Sequence, residues 1–166
     1  MKKIAYPILS FILLLFINGC AGYEPIFSST NLQFKIADYS IEGNKILGNK
    51  IYSKLYSLSK SKKDGQNLRS VDLVIKVLKD KNATTKNSAG KILQYKITLN
   101  TDVQITDFIT KDKILNQTFI SSLIYNVQNN YSDTVNLENQ TIENLLNKTY
   151  QELVIRLAQS IITKWS

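Results

Sequence analysis

Histidine is absent from the 166-residue chain, and cysteine occurs once, at Cys20. The first absence removes the commonest general base, the commonest metal ligand and every Ser-His-Asp or Cys-His arrangement. The second leaves no intramolecular disulfide, so the chain must stand on its hydrophobic core. The six glycines are scattered at 19, 22, 43, 48, 65 and 90, and none belongs to a Gly-rich loop that cradles a phosphate. No clustered pair of acids on one element suggests carboxylate catalysis. No catalytic residue, metal or cofactor is assigned, and an enzyme is not expected.

Long apolar runs are also scarce; the clearest lies at the N-terminus. Lys2 and Lys3 precede a run from Ile8 to Ile17 that only Ser10 interrupts. It is shorter than the roughly 20 residues a membrane-spanning helix needs, and it reads as an export signal. It ends in Ile17-Asn18-Gly19-Cys20, which looks like a lipobox: a branched apolar residue three before the cysteine and a small one just before it. On this reading residues 1–19 are a lipoprotein signal peptide and Cys20 is the lipidated residue. The alternatives are a free thiol or residues 4–19 kept as an uncleaved anchor. One acyl chain, at about 0.8 kcal/mol per buried CH₂, binds a membrane only marginally, so a stable anchor takes two or more chains. A diacylated thiol with an acylated amine meets that condition.

Positive charge is concentrated. Without Lys2 and Lys3 the net charge falls from +8 to +6. Residues 45–96 hold 13 bases against Asp64, Asp72 and Asp80, a balance of +10, while residues 20–44 and 97–166 each carry −2. Such a block attracts a polyanion and speeds its encounter. For an exported protein that polyanion is a phosphorylated lipid surface, and nucleic acid is not expected as a partner. The alternative is a solvated lysine-rich surface, since lysine outnumbers arginine 19 to two throughout the chain.

The exported part has the length of a single domain. Residues 20–31, with Pro25 and the turn-like Ser28-Ser29-Thr30-Asn31, form a tether, and one domain follows at 32–166. Leu32, Phe34 and Ile36 alternate with polar residues as in a half-buried strand. Asn44 is placed to cap a helix carrying Leu47, Ile51, Leu55 and Leu58 on one face. Residues 60–67 read as a loop, 71–79 as a strand with Val71, Leu73, Ile75 and Val77 on one face, and 80–91 as a polar loop. From Leu93 to Ile105 apolar or threonine positions alternate strictly with polar ones from Gln94 to Thr106. That pattern predicts a long antiparallel strand with one wet face. A fourth strand is expected near 114–126, and a helix from about 137 to 164 capped by Asn136, with Glu138 in its first turn where a carboxylate suits the helix dipole, and Ile142, Leu145, Leu146, Tyr150, Leu153, Leu157, Ile161 and Trp165 as its stripe. The expected fold is α+β: two helices on one face of a four-stranded, mainly antiparallel sheet in the order β-α-β-β-β-α.

In this order the chain resembles the LptE family of lipopolysaccharide-assembly lipoproteins. The resemblance rests on Cys20-Ala21-Gly22-Tyr23 after the lipobox and on Gln94-Tyr95-Lys96-Ile97-Thr98-Leu99-Asn100 in the long strand. It rests also on Asn139-Gln140 before a final helix containing Tyr150 and Gln151-Glu152-Leu153-Val154-Ile155-Arg156-Leu157. The resemblance implies a non-enzymatic lipoprotein anchored to the outer membrane on its periplasmic side. It would plug the β-barrel of LptD, support that barrel's assembly and assist lipopolysaccharide transport to the surface. Ala21 is compatible with outer-membrane sorting. The family's lipopolysaccharide contact through basic residues falls here near Lys86 or Lys91; a second such position falls near Asn136, which is not basic. Lys79, Lys81, Lys86 and Lys91, grouped around one loop, are the candidate lipopolysaccharide-binding residues. The alternative function is a different membrane-anchored lipoprotein whose basic face binds anionic lipid or recruits an envelope assembly factor.

Overall fold

The computed structural model describes residues 34–60 and 68–165. The signal segment, Cys20, the 20–31 tether, Leu32 and the loop at 61–67 lie outside the described residues. The elements are β1 (Phe34–Gly43), α1 (Lys45–Lys60), β2 (Arg69–Lys86), β3 (Ile92–Asp107), β4 (Lys113–Asn126) and α2 (Tyr131–Trp165). The four strands form one sheet in the order β1-β2-β3-β4. β1 pairs parallel with β2, and β2–β3 and β3–β4 pair antiparallel. The expected α+β architecture is the observed one.

Alternation decides which face is covered. Val71, Leu73, Ile75 and Val77 of β2 are buried, as are Ile97, Leu99, Val103 and Ile105 of β3. They join Leu115, Phe119 and Tyr125 of β4 in one cluster with Leu47, Ile51 and Leu55 of α1 and Leu145, Leu146, Leu153 and Leu157 of α2. Both helical stripes are therefore core, laid side by side on the same face of the sheet. Each buried Leu or Ile contributes about 1.5–3 kcal/mol relative to exposure. Lys50 bonds Glu143 and Lys54 Nζ donates to Asn147 Oδ1 at 2.8 Å, tying α1 to α2 across their exposed seam. Beneath, the hydroxyls of Ser121 and Thr149 share a buried hydrogen bond of 3.2 Å that ties β4 to α2.

The junction of β1 and α1 requires its glycine. Gly43 has φ +68°, and a Cβ there would stand 2.3 Å from the Val77 carbonyl oxygen. The same carbonyl accepts the Asn44 amide at 2.7 Å. Asn44 caps the helix as expected, its Oδ1 accepting the Leu47 amide at 3.1 Å.

Two boundaries differ from expectation. The polar stretch 80–86 is the second half of β2, and only residues 87–91 turn. Residues 80–86 pair with β3 in an arm that buries no apolar side chain, so no apolar alternation marks it and the composition reads as loop. The last helix starts at Tyr131 and not near 137. Asn130 caps it in place of Asn136, its Oδ1 accepting the Ser132 amide at 3.0 Å. Its opening residues are mostly exposed and carry little apolar stripe, although Thr134 is buried and its hydroxyl accepts the Gln128 amide at 2.9 Å.

Candidate functional site: the β2–β3 arm and the open sheet face

Continuing the alternation of β2 past Val77 puts Lys79 and Lys81 on the helix-covered face, near the start of α2. There they meet Glu138. Lys81 Nζ lies 2.5 Å from Glu138 Oε2 and Lys79 Nζ 3.8 Å from Oε1. The Tyr125 hydroxyl donates to Glu138 Oε2 at 2.9 Å. Lys81 also lies over the rings of Tyr95 at 4.4 Å and Tyr125 at 5.8 Å, and these two rings stack with centroids 5.9 Å apart. A cation between aromatic faces and a carboxylate is held on both sides.

The titrations follow from that packing. Burial pushes the Glu138 carboxyl up, but hydrogen bonds from Lys81 and Tyr125 and the charges of Lys81 and Lys79 outweigh it and leave the carboxyl below its ordinary value. Burial likewise disfavours the Lys81 ammonium, yet its bonds to Glu138 and Tyr125 raise its pKa. Lys81 therefore stays charged at physiological pH with its charge directed inward. Burial raises the Tyr125 phenol, which stays protonated and able to donate.

Lys86 and Lys91 are placed differently. β2 shows register shifts between Ala83 and Thr85 and between Thr85 and Lys86, and Lys86 comes opposite Ile92 at the end of the ladder. The turn beyond it is held by Asn87, whose Oδ1 accepts the amides of Ala89 at 3.1 Å and Lys91 at 2.8 Å. Gly90, at φ +79°, closes it. Lys86 and Lys91 are exposed at this tip and form no ion pair among the described residues. The four candidate lysines thus divide into an inward pair held by Glu138 and an outward pair at the arm's tip. Sequence reasoning noted Glu138 only as a helix-dipole residue. Carrying the β2 alternation two steps further would have placed Lys79 and Lys81 opposite a helix and called for an acid there.

Among the described residues the other sheet face carries no helix. It presents Gln94, Lys96, Thr98, Asn100, Asp102, Gln104 and Thr106 of β3, flanked by Val74, Lys76, Leu78, Asp80 and Asn82 of β2 and by Asn116, Thr118, Ile120, Ser122, Ile124 and Asn126 of β4. Polar side chains bond across strands here. Thr85 Oγ1 donates to Gln94 Oε1 at 2.8 Å, and Gln94 Nε2 to Asn126 Oδ1 at 2.9 Å. Thr118 Oγ1 donates to Asp102 Oδ1 at 2.6 Å. Leu78, Ile120 and Ile124 stand exposed among them. The surface can hydrogen-bond a polar wall and grip it with a few apolar contacts. Among the described residues no helix is long and apolar enough to cross a membrane.

This geometry defines a class: a two-layer α+β domain with one open polar sheet face and a cationic arm. Neither a known family profile nor a curated protein matches the chain. Solved structures do match its fold. One is the solution structure of an uncharacterized lipoprotein B from Nitrosomonas europaea, with TM-score 0.56, 10% identity, 86% of this chain and 92% of that chain covered. Another is the crystal structure of a candidate lipoprotein from Caulobacter crescentus CB15, with TM-score 0.52, 10% identity, 76% of this chain and 90% of that one covered. At such identity the likeness is one of fold alone.

Proposed function

We propose that this chain is an outer-membrane lipoprotein that plugs the LptD β-barrel, supports its assembly and assists lipopolysaccharide transport to the cell surface. The observation that carries this reading is the polar sheet face on which, among the described residues, no helix lies. Its hydrogen-bonding side chains suit the polar lumen of a large membrane barrel, and its opposite face is filled by helices, so the domain is a closed solid body. The lipobox-like string before Cys20 supports attachment, and the two structures of like fold are themselves described as lipoproteins. Lys86 and Lys91 are the groups presented to lipopolysaccharide phosphates, while Lys79 and Lys81 act mainly through Glu138 to set the arm against α2.

Depletion tests the reading. Loss of folded LptD barrel and of surface lipopolysaccharide is the expected outcome. If both persist while the envelope otherwise responds, the chain is instead a lipoprotein whose basic arm binds anionic lipid or recruits another assembly factor.

A further inference from the structure

The end of the sheet opposite the lysine arm has an apolar tip. The β3–β4 turn, Asp107-Phe108-Ile109-Thr110-Lys111-Asp112, places Phe108 44% exposed and Ile109 83% exposed side by side at its outermost point. Turn tips are ordinarily polar, and consecutive exposed apolar residues there oppose solubility. The tip is also rigid. Asp107 Oδ1 accepts the amides of Ile109 at 2.9 Å and Thr110 at 3.0 Å. The Asp107 amide donates to the Asp112 carbonyl at 2.9 Å, Lys111 takes φ 62°, and the Phe108 amide donates to the Ser70 carbonyl at 2.9 Å. Lys111 Nζ lies 4.6 Å over the Phe108 ring and bonds Asp72 Oδ2 at 2.8 Å. Two apolar side chains are thus held out on a fixed frame.

Strand direction says what they meet. β1 runs parallel to β2, with Phe34 opposite Arg69 and Lys35 opposite Ser70, so the chain enters the sheet at this same end. Residues 21–33 separate Phe34 from Cys20, a reach of at most about 50 Å when fully extended. The tip is therefore at the anchor-proximal end, and the polar Asn87–Lys91 turn at the distal end. We infer that the Phe108–Ile109 turn is a membrane-contact tip that seats in the interfacial layer of the bilayer carrying the anchor. This rests on the lipid-anchored reading of Cys20 but not on the identity of any barrel partner.

Charge is not the driving force. Among the described residues at this end Lys35, Arg69, Lys111 and Lys113 are nearly matched by Asp72, Asp107 and Asp112, with Arg69 3.9 Å from Asp107 and Lys111 bonded to Asp72. Seating therefore depends on the two apolar side chains and only weakly on anionic lipid.

The sole native thiol makes the test clean, because an acylated Cys20 leaves an introduced cysteine as the one reactive site. Full-length processed lipoprotein carrying Thr110→Cys or Ser88→Cys is spin-labelled and reconstituted in phosphatidylethanolamine/phosphatidylglycerol vesicles. Collision with oxygen and with a water-soluble nickel chelate is then compared. The label at 110 should lie about 5–10 Å into the interface, rich in oxygen and poor in nickel contacts, and the label at 88 should lie in water. Adding Phe108→Ser and Ile109→Ser should return the 110 label to water. Equal nickel access at 110 and 88 overturns the proposal, as does a 110 label shielded from both reagents, which would mean a protein contact. A reactive thiol in the parent protein, or the absence of acyl mass on Cys20, locates the failure in the anchor reading, and the proposal falls with it.

Discussion

Reversing charge at the arm's tip, by Lys86→Glu with Lys91→Glu, tests the anion-binding part of the account. Both side chains are exposed and neither forms an ion pair among the described residues, so the change removes no internal ion pair of the protein. A lysine at an anionic surface contributes about 1 kcal/mol, so losing two removes about 2 kcal/mol and two opposing carboxylates remove a similar amount again. Against about 1.4 kcal/mol per decade, that is roughly 100- to 1,000-fold weaker lipopolysaccharide binding at low salt. Screening over a Debye length of about 8 Å makes the loss smaller at physiological ionic strength than at low salt. Titration of purified lipopolysaccharide by calorimetry or fluorescence displacement, at two salt concentrations, reads the effect directly. Circular dichroism should show an unchanged fold. Wild-type affinity in the double variant at low salt would assign these lysines to a merely solvated surface.

Other substitutions probe the frame that holds the arm. Glu138→Gln removes the acid shared by Lys79, Lys81 and Tyr125 and should lower stability at pH 7 by about 1–2 kcal/mol. Because the folded-state pKa of Glu138 is lowered, its contribution is present above the ordinary value of about 4.3 and is lost as pH falls through the folded value. The gap between wild type and variant in urea denaturation should therefore close as pH falls below about 4.3, and a gap independent of pH would contradict the cause given. Thr101→Val should stabilise by about 1 kcal/mol, since the Thr101 hydroxyl is buried between Val77 and Phe119 with no hydrogen-bond partner among the described residues. A fall in melting temperature would show that the hydroxyl matters. Gly43→Ala should cost about 2 kcal/mol or more, because φ +68° and the Val77 carbonyl both oppose a side chain; an unchanged denaturation midpoint would refute that strain.

Where burial is one-sided the chain's periodicity carries the fold plainly. β3 alternates because one face meets helices and the other, among the described residues, meets none, and α1 is announced by Asn44 and its spaced apolar residues. Legibility ends where burial ends. Residues 80–86 bury no apolar side chain and are held by backbone pairing with β3 and by the contacts of Lys81, and the opening of α2 exposes most of its surface, so neither has an apolar face to mark. The candidate lysines were visible as a cluster in sequence, but their division was not. It depends on which side of β2 each falls and on an acid more than 50 residues away, with Lys81 and Glu138 separated by 57 positions. The apolar pair Phe108 and Ile109 was not singled out in the sequence, and its meaning needs β1 to begin beside it.

The central claim, that the open polar sheet face fits inside an outer-membrane barrel, is tested most directly by mild-detergent purification of the tagged, acylated protein from its own membranes. The account predicts that LptD comes down with it in a one-to-one complex that survives high salt. It also predicts that Ile120→Lys with Ile124→Lys, on the exposed strand face, weakens that complex. Recovery of the acylated protein without LptD would contradict the account.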